Sequence, residues 1–151
     1  MQIGEKTTKG NGSGTNSKIG EIAAIENYDR ISSIIKNFKK IILVLSNGGA
    51  TGTGAAPVIA KIAKENNVST TAIVTTSFIL NNKRRREKKS FCIENLQKYS
   101  DEVITIAESE LIDLEKIDRK FSFTELINLT NEKVYQIINT LMSTRIQKPN
   151  F

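Results

Sequence analysis

The sequence predicts an α/β protein with a parallel sheet and helices on both faces. Two observations carry this. Ile41-Ile42-Leu43-Val44-Leu45 and Thr70-Thr71-Ala72-Ile73-Val74 are short apolar or β-branched runs without in–out alternation, as expected of strands buried on both faces. Between and after them lie longer segments whose apolar residues recur at helical spacing, and this alternation builds parallel βαβ units.

Residues 7–18, rich in Gly, Ser and Asn, have no apolar period and read either as a flexible tail or as a loop around a ligand. From Ile19 the pattern turns helical through Ile22, Ala23, Ile31, Ile34 and Ile35, with Ser17 as the expected N-cap. The strand 41–45 is followed by a glycine-rich turn, Ser46–Gly54. A helix is expected from Ala55 to about Glu65, with Pro57 in its first turn, where no amide donor is missed, and Asn66 and Asn67 closing it. Strand 70–74 leads through a basic connection to a helix over Lys83–Tyr99 and a short strand, Glu102–Ile106. A last helix, Phe123 to about Met142, carries Leu126, Ile127, Val134, Ile137, Ile138 and Leu141 as a core stripe, and Pro149 ends the pattern. There is no internal repeat and no interdomain linker.

Composition excludes several chemistries. The 151 residues contain no His and one Cys, which removes Ser-His-Asp and Cys-His catalysis and leaves no thiolate or imidazole metal site. Cys92 reads as a small apolar filler on a helix. The longest apolar run, Ile41–Leu45, is too short to cross a bilayer, and the first residues lack the apolar stretch of a secretory signal, so a cytoplasmic protein without membrane insertion is expected. The net charge of +6 raises nucleic-acid binding as a question. With 22 Ile and 14 Asn beside the many Lys, the bias is what an A+T-rich genome imposes through its codons, so the charge is weak evidence for a binding face.

The most informative segment is Asn47-Gly48-Gly49-Ala50-Thr51-Gly52-Thr53-Gly54-Ala55-Ala56-Pro57, set between a strand and a helix. Small residues let the backbone approach a ligand, amides at a helix start point outward, and the helix dipole favours an anion there. Thr51 and Thr53 add hydroxyls. Plain tight packing remains the other reading of such a turn. It is neither a Walker A loop, lacking Gly-Lys-Ser/Thr, nor the dinucleotide fingerprint.

Gly49–Ala60 resembles the tubulin/FtsZ signature Gly-Gly-Gly-Thr-Gly-Thr-Gly and its FtsZ continuation Ala-Ala-Pro-Val-Ile-Ala. The flanks agree. Gln2–Gly10 resembles Ile-Gly-Glu-Lys-Leu-Thr-Arg-Gly, and Gly12-Ser13-Gly14-Thr15-Asn16 resembles the Gly-Ala-Gly-Gly-Asn loop that in the family faces the terminal phosphate. Ser100–Ile106 and Leu129–Val134 match the Val-Asp-Ser-Leu-Ile-Thr-Ile strand and the Ala-Ala-Asn-Asp-Val-Leu of the central helix. The likeness covers nearly all of residues 2–151. It implies a partial GTP-binding domain ending in the central helix, in which the family's first strand and first phosphate loop, and its C-terminal domain, are expected to be absent.

The resemblance also implies a site: Gly14, Gly48, Gly49, Ala50, Thr51, Gly52, Thr53 and Gly54 around the phosphates, Asn81 near the sugar, Arg85 reaching the nucleotide, and Glu132 on guanine. Three of these depart from the family. Ala50 stands for the third glycine of the signature, Asn81 for the ribose-contacting Glu, and Glu132 for the guanine-binding Asp. Without the resemblance, Lys83–Lys89 reads as a solvated helix start and Asn131/Glu132 as an exposed polar pair. The expected ligand is GTP or GDP with Mg²⁺ held mainly by phosphates and water. Partners would be further copies of the chain or intact FtsZ, in filaments at the division site. The family's water-activating carboxylates come from a loop beyond this chain, so no catalytic residue is assigned and the isolated chain is expected to be inactive. The rival readings are a non-catalytic remnant that docks on intact FtsZ, and a basic nucleic-acid binder.

Overall fold

The structure, a computed structural model, describes residues 1–47, 49–76, 83–107, 111 and 122–143, with backbone alone at 83–90 and 123. It divides into two compact units, Met1–Ile106 and Ala107–Phe151.

Three strands, β1 (Lys40–Ser46), β2 (Ser69–Thr76) and β3 (Glu102–Ala107), form a parallel sheet in the order β1-β2-β3. β1 and β2 run in register from Lys40↔Ser69 to Ser46↔Thr75. The expected strands are present, each extended by one or two residues at its ends. β2 is central, and Thr70–Val74 is buried throughout, as a run without alternation implies. β1 corrects the same expectation. It is an edge strand in which Leu45 is 7% exposed but Val44 is 51% exposed. The covered face carries Leu43, Leu45, Ala72 and Val74, and Val44 points the other way.

Among the described residues are six helices, α1 (Glu5–Thr8), α2 (Ser17–Glu26), α3 (Tyr28–Ile35), α4 (Ala50–Glu65) and α5 (Lys83–Tyr99) in the first unit and α6 (Phe123–Ser143) in the second. α4 is the centre of the first unit. Its Ala56 and Ala60 pack with Cys92 and Leu96 of α5 on the sheet, while Ala55, Ile62 and Ala63 pack against Ala24, Ile31 and Ile35 of α2 and α3. Alanine on both sides lets α4 sit close to each layer. Cys92 is fully buried there, and burial pushes its thiol up to about 11.

Local details differ from the sequence expectation in four places. The N-cap of α2 is Asn16, not Ser17, and its Oδ1 accepts a 3.0 Å bond from the Lys18 amide. The helical stretch after Ile19 is broken at Asn27, whose Oδ1 instead accepts the Gly4 amide at 2.6 Å, and Ile22 and Ile34 are exposed. α4 begins at Ala50 rather than Ala55, so Pro57 is its eighth residue and lies in the helix interior. In α6, Leu126 is buried and Val134, Ile137, Ile138 and Leu141 are half-buried, but Ile127 is exposed.

The start of α6 is a capping box. The Ser122 amide and hydroxyl both donate to Glu125 Oε2, at 2.8 and 2.9 Å, and Ser122 Oγ accepts from the Glu125 amide at 3.2 Å. In the first unit, Glu26 holds the start of α1 in a similar way, accepting the Lys6 and Thr7 amides and the Thr7 hydroxyl. Among the described residues no helix is long and apolar enough to cross a membrane.

Candidate functional site

The glycine-rich segment lies at the carboxyl end of β1, where α/β sheets bind ligands. The Asn47 amide extends the β1–β2 ladder by donating to the Thr75 carbonyl at 2.8 Å, and the chain then turns into α4. Gly49 is the N-cap and supplies no side-chain cap. The first turn of a helix presents amides with no partner inside the helix, so an uncapped start with positive dipole suits an anion. Thr53 closes the first helical bond, its amide donating to the Gly49 carbonyl at 3.1 Å, and its hydroxyl donates to the same oxygen at 2.8 Å. The Thr53 proton is thus engaged with the backbone here, whereas the Thr51 side chain faces a different neighbour.

That neighbour is Ser13, from the loop before α2. Its Oγ lies 2.8 Å from Thr51 Oγ1, and Ser13 is 3% exposed. The Asn16 amide donates to the Ser13 carbonyl at 3.1 Å, closing the loop into a turn that runs directly into the α2 cap. Between them Gly14 adopts φ +57°, a left-handed conformation that glycine takes without strain, and a Cβ there would meet nothing within 4 Å.

Two further glycines bring α2 onto the front of α4. A Cβ on Gly20 would stand 2.9 Å from the carbonyl oxygens of both Ala50 and Thr51. One on Gly54 would overlap the Ser17 carbonyl oxygen and stand 2.7 Å from the Glu21 nitrogen. The loop and the helix start are therefore locked together through backbone contact as well as through Ser13.

Asn47 offers a test of whether the residues fit a polar ligand. Both amide atoms of its side chain are buried, and neither has a hydrogen-bond partner among the described residues. A buried amide without partners is costly, and a polar group entering beside the α4 start would relieve it. The uncapped helix start and this unpaired side chain both fit a phosphate-bearing ligand.

The structure thus brings Gly14, Gly49, Ala50, Thr51, Gly52, Thr53 and Gly54 into one neighbourhood. Gly48 and Asn81 lie outside the described residues. Arg85 falls in the first turn of α5, and its side chain lies outside them too. Glu132 belongs to the second unit and is exposed on α6. Sequence reasoning did not single out Ser13 or Asn47. A serine between two glycines and a polar residue at a buried strand's end were the available signals. A separate cleft of about 720 Å³ runs along α4 between α2 and α5, lined by Ile25, Tyr28, Pro57, Val58 and Phe91. It is mostly apolar and shares only Thr53 and Gly54 with the loop, so the anion chemistry is not there. Among the described residues no group of three or more acidic or Cys side chains could hold a metal.

Comparison with known proteins agrees with this geometry. The family model described as the GTPase domain of the Tubulin/FtsZ family matches residues 1–116. The cell division protein FtsZ of Aquifex aeolicus (strain VF5) is 35% identical over 153 aligned residues, which cover 100% of this chain and 42% of that protein. A solved FtsZ mutant of M. jannaschii superposes with a TM-score of 0.83 at 30% identity, covering 99% of this chain and 44% of the other. A second M. jannaschii FtsZ structure, an empty dimer, gives 0.76 at 33% identity over 86% and 37% of the two chains. The chain therefore spans about two-fifths of the length of the relatives it matches. With the signature loop set on the start of α4 and these matches along its length, the chain belongs to the tubulin/FtsZ family, within its GTPase domain.

Proposed function

We propose that this chain binds GTP or GDP with the phosphates on the α4 start, as part of an FtsZ-type protein of cell division. The observation that carries the reading is the uncapped α4 terminus at the end of β1, faced by Thr51 and by the Ser13–Asn16 turn. Residues 1–151 act as part of a GTP-binding domain. In this reading Gly14 and Gly48 to Gly54 surround the phosphates, Asn81 serves the sugar side, Arg85 reaches the nucleotide, and the Glu132 carboxylate accepts both N–H donors of guanine, which adenine lacks. Mg²⁺ accompanies the phosphates and screens their charge, held by phosphate oxygens and water rather than by a protein cage.

The whole-protein activity is GTP hydrolysis between subunits in a cytoplasmic filament at the division site. The M. jannaschii relative solved as a dimer supports such self-association. The test is titration of the chain with GTP, GDP and ATP by calorimetry. Saturable GTP binding that weakens on Thr51→Ala is expected. Undetectable binding, or binding indifferent to Thr51, would overturn the proposal.

A further inference from the structure

We propose that Ser13 is a positioning residue of the phosphate site, holding the Thr51 hydroxyl so that its proton points at a bound phosphate oxygen. The inference rests on the nucleotide reading above but concerns a residue and a contact of this chain alone: the family loop that Gly12–Asn16 resembles carries alanine where this chain has Ser13.

The argument is one of proton count. Each hydroxyl has one proton to donate. In the pair at 2.8 Å either oxygen can be the donor. An anion on the α4 amides resolves the choice, because it accepts only. Thr51 then donates outward to the phosphate, and its lone pair accepts from Ser13. Ser13 is suited to the inner role: at 3% exposure it is shielded from water, while Thr51, in the first turn of α4, is exposed. The chain fixes Ser13 from both directions. Its carbonyl accepts the Asn16 amide, Asn16 caps α2, and α2 abuts the Ala50 and Thr51 carbonyls at Gly20. The Ser13 hydroxyl is therefore held relative to the first turn of α4, and it fixes the Thr51 rotamer before any ligand arrives. A donor aimed in advance spares the ligand that ordering cost.

Two measurements on the full chain test this. First, the χ1 angle of Thr51 is read by NMR scalar couplings to its methyl group without nucleotide. One rotamer is expected in the native chain and averaging in Ser13→Ala, a change the family's own alanine indicates the fold tolerates. A single rotamer retained in Ser13→Ala overturns the proposal, whether or not nucleotide binds. Second, GTP affinity is measured across a double-mutant cycle. Ser13→Ala should weaken GTP about three- to tenfold, the worth of one neutral hydrogen bond. It should do the same on a Thr51→Ser background, where the hydroxyl remains, and have no effect on Thr51→Val. Losses that add in full between Ser13→Ala and Thr51→Val overturn the proposal, as does unchanged affinity in Ser13→Ala. Failure of the native chain to bind GTP would sink the nucleotide reading, and the rotamer measurement would still decide the role of Ser13.

Discussion

Replacing Gly54 by alanine would test how closely α2 and α4 must approach. Gly54 is buried, and an added Cβ would overlap the Ser17 carbonyl oxygen while lying 2.7 Å from the Glu21 nitrogen and 2.9 Å from the Ser17 carbonyl carbon. All three are backbone atoms of α2, so no side chain can swing aside. Non-bonded carbon contacts are comfortable at about 3.5–4 Å, so α2 must withdraw by about 1 Å or more along that line. Alanine gains about 1 kcal/mol of helix propensity over glycine. Overpacking of a tight interior costs about 1–3 kcal/mol or more, and the withdrawal also loosens Ala23 and Ala24, at 1% and 0% exposure. The clash wins, and a net loss of about 1–2 kcal/mol is expected. At about 2–4 °C per kcal/mol for a chain of this size, the melting temperature should fall by roughly 2–8 °C. Gly52→Ala is the matched control. Its Cβ would stand 3.3 Å from Leu45 Cβ, a single tight contact that a shift of a few tenths of an ångström relieves, against three much closer backbone atoms at Gly54. Thermal and urea unfolding followed by far-UV circular dichroism reads both variants. Gly54→Ala as stable as Gly52→Ala, or more so, would refute the close-approach argument.

Other expectations follow from the same structure. Arg85→Ala should weaken GTP by about tenfold or more, since a hydrogen bond to a charged group is worth about 1.5–3 kcal/mol, as read by calorimetry. Equal affinity for ATP and GTP would count against Glu132 as the base reader. The Thr7 hydroxyl, with the Lys6 amide, holds the Glu26 carboxyl below its ordinary value of 4.5, and the Thr70 amide and Ser69 side chain hold Asp101 below 3.8. Folded values lowered in this way stabilise the protein above the ordinary values and lose that contribution as pH falls through the folded ones. The melting temperature should therefore hold at neutral pH and drop in acid, less steeply in Glu26→Gln. Cys92, buried with its thiol pushed up to about 11, should resist a thiol-specific disulfide reagent at about pH 8 until urea unfolds the chain.

β2 was legible because burial on both faces leaves a plain mark in residue type, and it needed no partner to be recognised. The edge position of β1 was not legible, because Ile41–Leu45 is as apolar as a central strand and exposure depends on what lies beside it. The start of α4 was misplaced for a physical reason. Glycines at 52 and 54 lower local helix propensity, and contact with α2, which no local pattern reports, outweighs them. The phosphate segment itself was legible from its small residues and its place between strand and helix. Its pairing with Ser13 was not, because the two hydroxyls are 38 residues apart in the chain and meet only through the tertiary approach of α2.

Pro57 divides α4 in a way that bears on how this region can move. Having no N–H, it cannot bond the Thr53 carbonyl, so the helix's ladder of amide bonds is interrupted after its second turn. Behind the gap, Ala60, Ile62 and Ala63 are wholly enclosed and form the wall shared by two apolar clusters. Ahead of it stands the glycine-bearing stretch that meets α2. The rear is a fixed partition, whereas the front is held by its backbone contact with α2 more than by a continuous ladder, so loss of that contact would release the front before the rear. Amide exchange would show it as a step in protection at residue 57, steep on one side and shallow on the other.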